Sequence, residues 1–244
     1  MDTIKISDYK REIYVNGINM TYYKIGQGEP LIVLHGNSQN SKSMKKIINR
    51  FKDRFEIYAI DSRGHGLTKH EGKEYTLEDM SNDVVEFIEK LNLNNVNIIG
   101  YSDGGNIAYR VAIRMQDRIN KIILLSPNYS PKGMNKFFMM WLGIASFVLT
   151  IFSFIKFVRD VKYRVLLITR DEHTKEEDLR KINCDTLLIY AGIEIILKEH
   201  IESFKNNIKK AQLERVKVST HLDLFSRTKA IDKIEEFLIK KKPR

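Results

Sequence analysis

The stretch VNIIGYSDGGN, residues 96–106, decides how this chain folds. Val96 to Ile99 is a short apolar run suited to a strand buried on both faces, and the residues from Asn106 to Met115 have helical spacing. Between them Gly100-Tyr101-Ser102-Asp103-Gly104 fits the pattern G-x-S-x-G. A serine placed there is held on a sharp strand-to-helix turn. Side chains flanking such a turn would collide with it, so glycines are needed, and the helix N-terminus favours negative charge that develops beside it. Ser102 is therefore the candidate nucleophile.

The same strand-then-helix rhythm extends outward on both sides. Leu31 to Leu34, bounded by Pro30 and Gly36, is one apolar run, and Phe55 to Ile60 and Lys121 to Leu125 are others. Helical spacing covers Ser41 to Phe51 and Thr76 to Leu93. In the second of these, Leu77, Met80, Val84, Phe87, Ile88 and Leu91 recur at three- and four-residue steps, and Thr76 with Asp79 predicts a capping box. The chain opens differently. Glu12 to Val15 and Asn19 to Lys24 flank Asn16-Gly17, which predicts an antiparallel hairpin, so the elbow follows the fifth strand. Beyond residue 130 the rhythm breaks. It resumes with a strand at Thr186 to Tyr190, a helix at Lys198 to Lys210, a strand at Arg215 to Val218 and a closing helix at Lys229 to Lys240. The expectation is an α/β fold with a mostly parallel eight-stranded sheet flanked by helices, its core formed by residues 1–129 and 182–244 and interrupted by an insertion at 130–181.

Composition sets the outer limits. A chain of 244 residues, 43% hydrophobic and 30% charged with 4 Pro and 13 Gly, excludes disordered and fibrous classes and is long enough to bury a core without a disulfide or structural metal. Cys184 is the sole cysteine, so a disulfide framework and a multi-cysteine zinc site are both excluded, and a reducing, cytoplasmic compartment is expected. Met1 to Gly17 has no uninterrupted apolar core and predicts no secretory signal. The net charge of +10 invites a nucleic-acid partner, but its distribution argues otherwise: residues 1 to 100 carry 14 Lys/Arg and 14 Asp/Glu, whereas residues 101 to 244 carry 27 and 17. The excess sits around the insertion and in a tail ending Lys240, Lys241, Lys242 and Arg244. No nucleic acid is expected.

Two loops complete a chemical constellation. His35-Gly36-Asn37 follows the strand Leu31 to Leu34, where a backbone N–H can face the carbonyl oxygen of a bound substrate; the N–H groups of Asn37 and Asp103 would form an oxyanion hole. Asp61-Ser62-Arg63-Gly64-His65-Gly66 follows the next strand as a glycine-rich turn. With these residues, Gly100 to Gly104 and a late His221, the chain resembles the α/β-hydrolase superfamily over essentially its whole length. The resemblance implies a serine hydrolase acting on an ester or related acyl bond, with a helical cap over the nucleophile and neither metal nor organic cofactor. Its branches that hydrolyse epoxides or remove halogens use a carboxylate where this chain has Ser102.

The resemblance places the base between the last strand and the last helix, which selects His221. His35 belongs to the oxyanion loop, His65 lies in the glycine turn, and His70, His173 and His200 sit in polar stretches expected to be exposed. The family's acid follows the next-to-last strand, but here Ala191-Gly192-Ile193-Glu194-Ile195 puts Ile195 at that position and Glu194 one residue early. Successive residues of an extended chain point oppositely, so Glu194 reaches His221 only if the loop is rearranged. Asn128 and Asp223 are the other candidates to orient the ring. A protein without a working acid would instead bind an apolar ligand or a membrane surface, and that is the alternative reading.

The insertion holds Phe137 to Ile155, 19 residues without charge between Lys136 and Lys156, long enough to raise a transmembrane helix. A span there would put Ser102 and His221 on opposite sides of a bilayer, so the expected structure is a cap of two helices bent near Gly143 to Ser146, lining an apolar pocket. An apolar or amphiphilic ester substrate follows. So does peripheral contact with a membrane, since residues 132 to 164 hold 6 Lys/Arg against the single Asp160. Oligomeric state is not encoded in any feature of the chain.

Overall fold

The computed structural model describes residues 4–70, 72–170 and 174–239. His173 and the basic tail from Lys240 lie outside the described residues. An eight-stranded sheet runs in the order β1-β2-β4-β3-β5-β6-β7-β8. β1 (Lys10–Val15) and β2 (Ile18–Ile25) form the antiparallel hairpin, turned by Asn16 at φ 42° and Gly17 at φ 81°. β2 also pairs antiparallel with β4 (Phe55–Ile60). From there β3 (Glu29–Leu34), β5 (Val96–Tyr101), β6 (Ile119–Leu125), β7 (Asp185–Ile193) and β8 (Ala211–Thr220) are parallel.

Because side chains alternate along a strand, the sheet feeds two cores. Ile32, Leu34, Ile98, Ile122, Leu124 and Leu188 pack on one face with α2 (Leu77–Lys90), α3 (Asp103–Arg114) and α6 (Lys198–Asn207). Leu31, Val33, Ile57, Ile99, Ile123 and Leu187 pack on the other with α1 (Lys45–Phe51) and α7 (Thr228–Ile239). These strand residues are essentially inaccessible on both faces, which is why they read as unbroken apolar runs. Thr76 Oγ1 accepts from the Asp79 N–H and the Asp79 carboxylate from the Thr76 N–H, so the expected capping box starts α2.

Between β6 and β7 the chain forms α4 (Lys136–Ile151) and α5 (Lys156–Thr169), which pack on each other. The break falls at Phe152 to Ile155, not at Gly143 to Ser146. Gly143 is simply carried inside α4, whereas Ser153 turns back on Thr150, its N–H and Oγ both donating to the Thr150 carbonyl, and the Ile155 N–H donates to Phe152. At 16 residues α4 is about 24 Å long, short of a bilayer's hydrocarbon core. Among the described residues no helix is long and apolar enough to cross a membrane.

Candidate functional site

Parallel strands bring their carboxyl ends to one edge of the sheet, and the loops leaving that edge carry the candidate residues. β5 ends at Tyr101 and α3 begins at Asp103, three residues earlier than its apolar spacing suggests, which leaves Ser102 alone in the turn at φ 51°, ψ −116°. That left-handed conformation costs an L-residue about 1–3 kcal/mol, offset here by bonds on both sides. The Ser102 N–H donates to Leu125 at 2.8 Å and its carbonyl accepts from Asn106 at 3.0 Å. The glycines allow the close approach: a Cβ on Gly100 would lie 2.2 Å from the Gly104 carbonyl oxygen, and one on Gly104 would lie 2.4 Å from that of Leu34.

Ser102 Oγ is 3.2 Å from His221 Nε2. On the other side of the ring His221 Nδ1 lies 2.5 Å from Glu194 Oε1. The backbone of His221 is fixed at both ends, its N–H donating to Ile193 at 2.9 Å and its carbonyl accepting from the Tyr101 hydroxyl at 2.6 Å. The serine, histidine and glutamate thus form one hydrogen-bonded row. His221 and Glu194 are nearly inaccessible, with side chains 9% and 4% exposed.

Strand alternation opposed this role for Glu194, and two local features resolve the difficulty. The β7–β8 register shifts after Ala191, where three residues of β8 (Lys217 to Ser219) oppose Gly192 alone, and β7 then ends at Ile193. The next residues are claimed by the inserted segment: Asn135 N–H donates to Ile195 at 2.7 Å and Leu197 N–H to Gly133 at 2.8 Å. Glu194 consequently turns inward while Ile193 is 72% exposed. Burial on its own would raise the Glu194 carboxyl, but it is outweighed by the hydrogen bond and charge of His221 and by donation from Ser126 Oγ at 2.5 Å and the Ala191 N–H at 3.3 Å. The carboxyl is held below its ordinary range. Ile195, at the position where an acid was expected, lines the cavity instead.

The other candidates are engaged elsewhere. Asn128 accepts from Asn106 Nδ2 at 3.0 Å, and Asp223 accepts from the Thr220 N–H at 2.8 Å and pairs with Arg227. Asn37 and Asp103 face the same cavity as Ser102, and Asp103 opens α3, whose first-turn N–H groups project from the helix end. Asn37 Nδ2 donates at 2.8 Å both to Asp103 Oδ2 and to the carbonyl of Arg164 on α5. The cavity holds about 450 Å³; Met134, Phe138 and Ile168 of the inserted segment supply much of its apolar wall.

Among the described residues, the other histidines are structural in their contacts. His35 and His65 are buried, and burial pushes His65 down to about 3. His200, expected to be exposed, is buried: it stacks on Tyr129 with ring centroids 3.9 Å apart, accepts the Tyr129 N–H and is pushed down to about 4. His70 likewise is mostly covered by α5, 3.3 Å from Asp160. Cys184 is half-buried, and burial raises its thiol to about 11. Sequence reasoning missed Ser126 as a donor to Glu194 and Tyr101 as a brace for His221. The one available signal was that the loop after β6 lies beside the end of β7.

Comparison with known proteins fits this geometry. A family model described as the alpha/beta hydrolase fold matches residues 29–148. A soluble epoxide hydrolase from Corynebacterium sp. (strain C12) is 30% identical over 111 residues, 46% of this chain and 39% of that protein. The AB hydrolase superfamily protein YisY of Bacillus subtilis (strain 168) is 36% identical over 123 residues, 46% of each chain. These matches span less than half the length of either relative. Among solved structures, an esterase from Exiguobacterium antarcticum superposes with a TM-score of 0.77 over 94% of this chain and 99% of the other, at 21% identity.

Proposed function

We propose that this chain is a hydrolase of the α/β-hydrolase superfamily and that it cleaves an ester or related acyl bond through an acyl-enzyme on Ser102. The observation that carries this reading is the row from Ser102 Oγ through His221 to Glu194. His221 holds its Nδ1 proton toward Glu194, leaving Nε2 to accept the proton of Ser102 as Oγ attacks the substrate carbonyl. The oxyanion that forms is met by the N–H groups of Asn37 and Asp103. His221 then returns the proton to the leaving group, and water, activated by the same nitrogen, releases the acyl product and restores Ser102. Glu194 acts as a positioning residue that fixes the ring and stabilises its charged form.

The substrate class follows from the cavity. Met134, Phe138, Ile168, Ile195 and Leu222 form an apolar wall, which suits an acyl chain or another apolar acyl group, while Asn37, Gln39, Asp103 and Asn128 line the cavity with Ser102, and the α4–α5 pair serves as its lid. An elbow serine supports acyl transfer over epoxide opening, the activity named for one relative. A fluorophosphonate probe tests the proposal. Labelling of the folded protein that disappears in Ser102→Ala is the expected result, and a folded protein that takes no label would overturn it.

A further inference from the structure

The outer face of the inserted segment is unlike the rest of the surface. Phe137, Trp141, Phe147, Phe154 and Phe157 are each between 66% and 77% exposed, and α4 has no buried residue at all. Steps of three and four residues from Phe137 through Trp141, Ile144, Val148 and Ile151 set an apolar stripe along one side of α4. Contiguous exposed apolar surface of this extent marks a place where something docks. The opposite side of the same helix faces inward, with Phe138 lining the cavity over Ser102.

The charges around the stripe identify the occupant. Exposed Lys132 and Lys136 stand at one end of α4 and exposed Lys156 at the other, with no charge between Lys136 and Lys156. The lone acid of residues 132–164, Asp160, faces His70 of the protein body. A second copy laid face to face would set lysine against lysine, whereas an anionic lipid layer presents phosphates at headgroup depth and hydrocarbon just beneath. A helix of about 24 Å cannot span such a layer but can lie in its plane.

We propose that α4 and the turn at Phe152 to Ile155 seat the protein on an anionic lipid surface, with Trp141, Phe147 and Phe154 in the acyl boundary and Lys132, Lys136 and Lys156 at the phosphates. The Ser102 cavity then opens under the helix that touches the membrane, so an amphiphilic substrate can enter from the lipid. Docking does not depend on Ser102 being reactive, so it is measured on the Ser102→Ala protein.

Trp141 is the only tryptophan in the chain and reports directly from the face. Vesicles of phosphatidylcholine mixed equally with phosphatidylglycerol are expected to sediment the protein and to shift Trp141 emission to the blue. Phe147→Glu with Phe154→Glu should weaken sedimentation roughly tenfold or more, as should glutamine at Lys132, Lys136 and Lys156 together. The Phe147/Phe154 variant with Ser102 intact should still take the fluorophosphonate label, which separates loss of docking from loss of fold or chemistry. Three results would overturn the proposal: neither sedimentation nor a blue shift with the mixed vesicles, equal binding to pure phosphatidylcholine, or a dimer in ultracentrifugation that Phe147→Glu dissolves, which would assign the face to a second copy.

Discussion

Glu194 carries the sharpest consequence at the scale of single residues, because its carboxylate meets His221 Nδ1, Ser126 Oγ and two backbone N–H groups in one buried place. Glu194→Gln keeps the volume but disrupts the tautomer that leaves Nε2 open, so kcat for an ester is expected to fall by about 10³ to 10⁴ with KM little changed. Ser126→Ala removes one donor and should cost roughly tenfold, and Asp223→Asn, whose target pairs with Arg227, should leave kcat alone. Steady-state kinetics of the three variants decides this, and a silent Glu194→Gln would remove the residue from the mechanism. His200 gives a second prediction, about pH. Its folded-state value is depressed to about 4 while the unfolded chain titrates near 6.5, so between those values the unfolded state binds more protons and stability falls as the solution is acidified. The loss should be up to about 3 kcal/mol, complete near pH 4. Denaturant melts at pH 7 and 4.5 should show a shallower acid loss in His200→Gln than in the parent; parallel losses would contradict it.

At the scale of elements, close packing between strand and helix sets the tolerances. Gly100→Ala places a methyl 2.2 Å from the Gly104 carbonyl at the join of β5 and α3, and neither backbone can yield without moving Ser102. A loss of about 3 kcal/mol in a chemical melt is expected, with probe labelling falling alongside. Lys121, buried in β6, donates to the carbonyls of Phe237 and Leu238 at 2.9 and 3.0 Å and so finishes the last turn of α7 from across the core. Lys121→Met strips those carbonyls of their donor and should cost about 1–3 kcal/mol. The elements were legible in the sequence where one physical signal dominated: strands buried on both faces as short apolar runs, α2 by its period and capping box, the hairpin by Asn16-Gly17. Legibility failed where a neighbour decides. The break at Phe152 depends on Ser153 folding back on Thr150, and the placement of Glu194 depends on a bulge in β8 and on backbone bonds that Leu197 donates to Gly133 and Asn135 donates to Ile195. His200 looked exposed because its sequence neighbours are polar, although Tyr129 and Gly133, distant in sequence, enclose it.

Across the whole molecule, anchoring is uneven. The sheet and its flanking helices are locked by two continuous cores, whereas the inserted pair is held almost entirely through α5. Its ties include the Arg164 carbonyl to Asn37, the Tyr163 hydroxyl to the Gly72 carbonyl at 3.2 Å, Asp160 beside His70, Arg170 with Glu74 and buried Leu167, with the Asn135 N–H to Ile195 at the start of α4. α4 leans on α5 and buries none of its own residues. Local opening free energies follow buried contact, so the amides of α4 should exchange with solvent by a small opening while those of β5 and β6 await global unfolding. In hydrogen-exchange mass spectrometry the expected order is α4 first, α5 later and the central strands last, with several kcal/mol between the extremes. Adding vesicles that contain phosphatidylglycerol should slow α4 selectively and leave β5 and β6 as they were, because bound lipid supplies the apolar contact that the protein itself withholds from this helix. If α4 proves as protected as β5 in lipid-free solution, its exposed face must already be covered by protein, and the uneven anchoring argued from these contacts would be wrong.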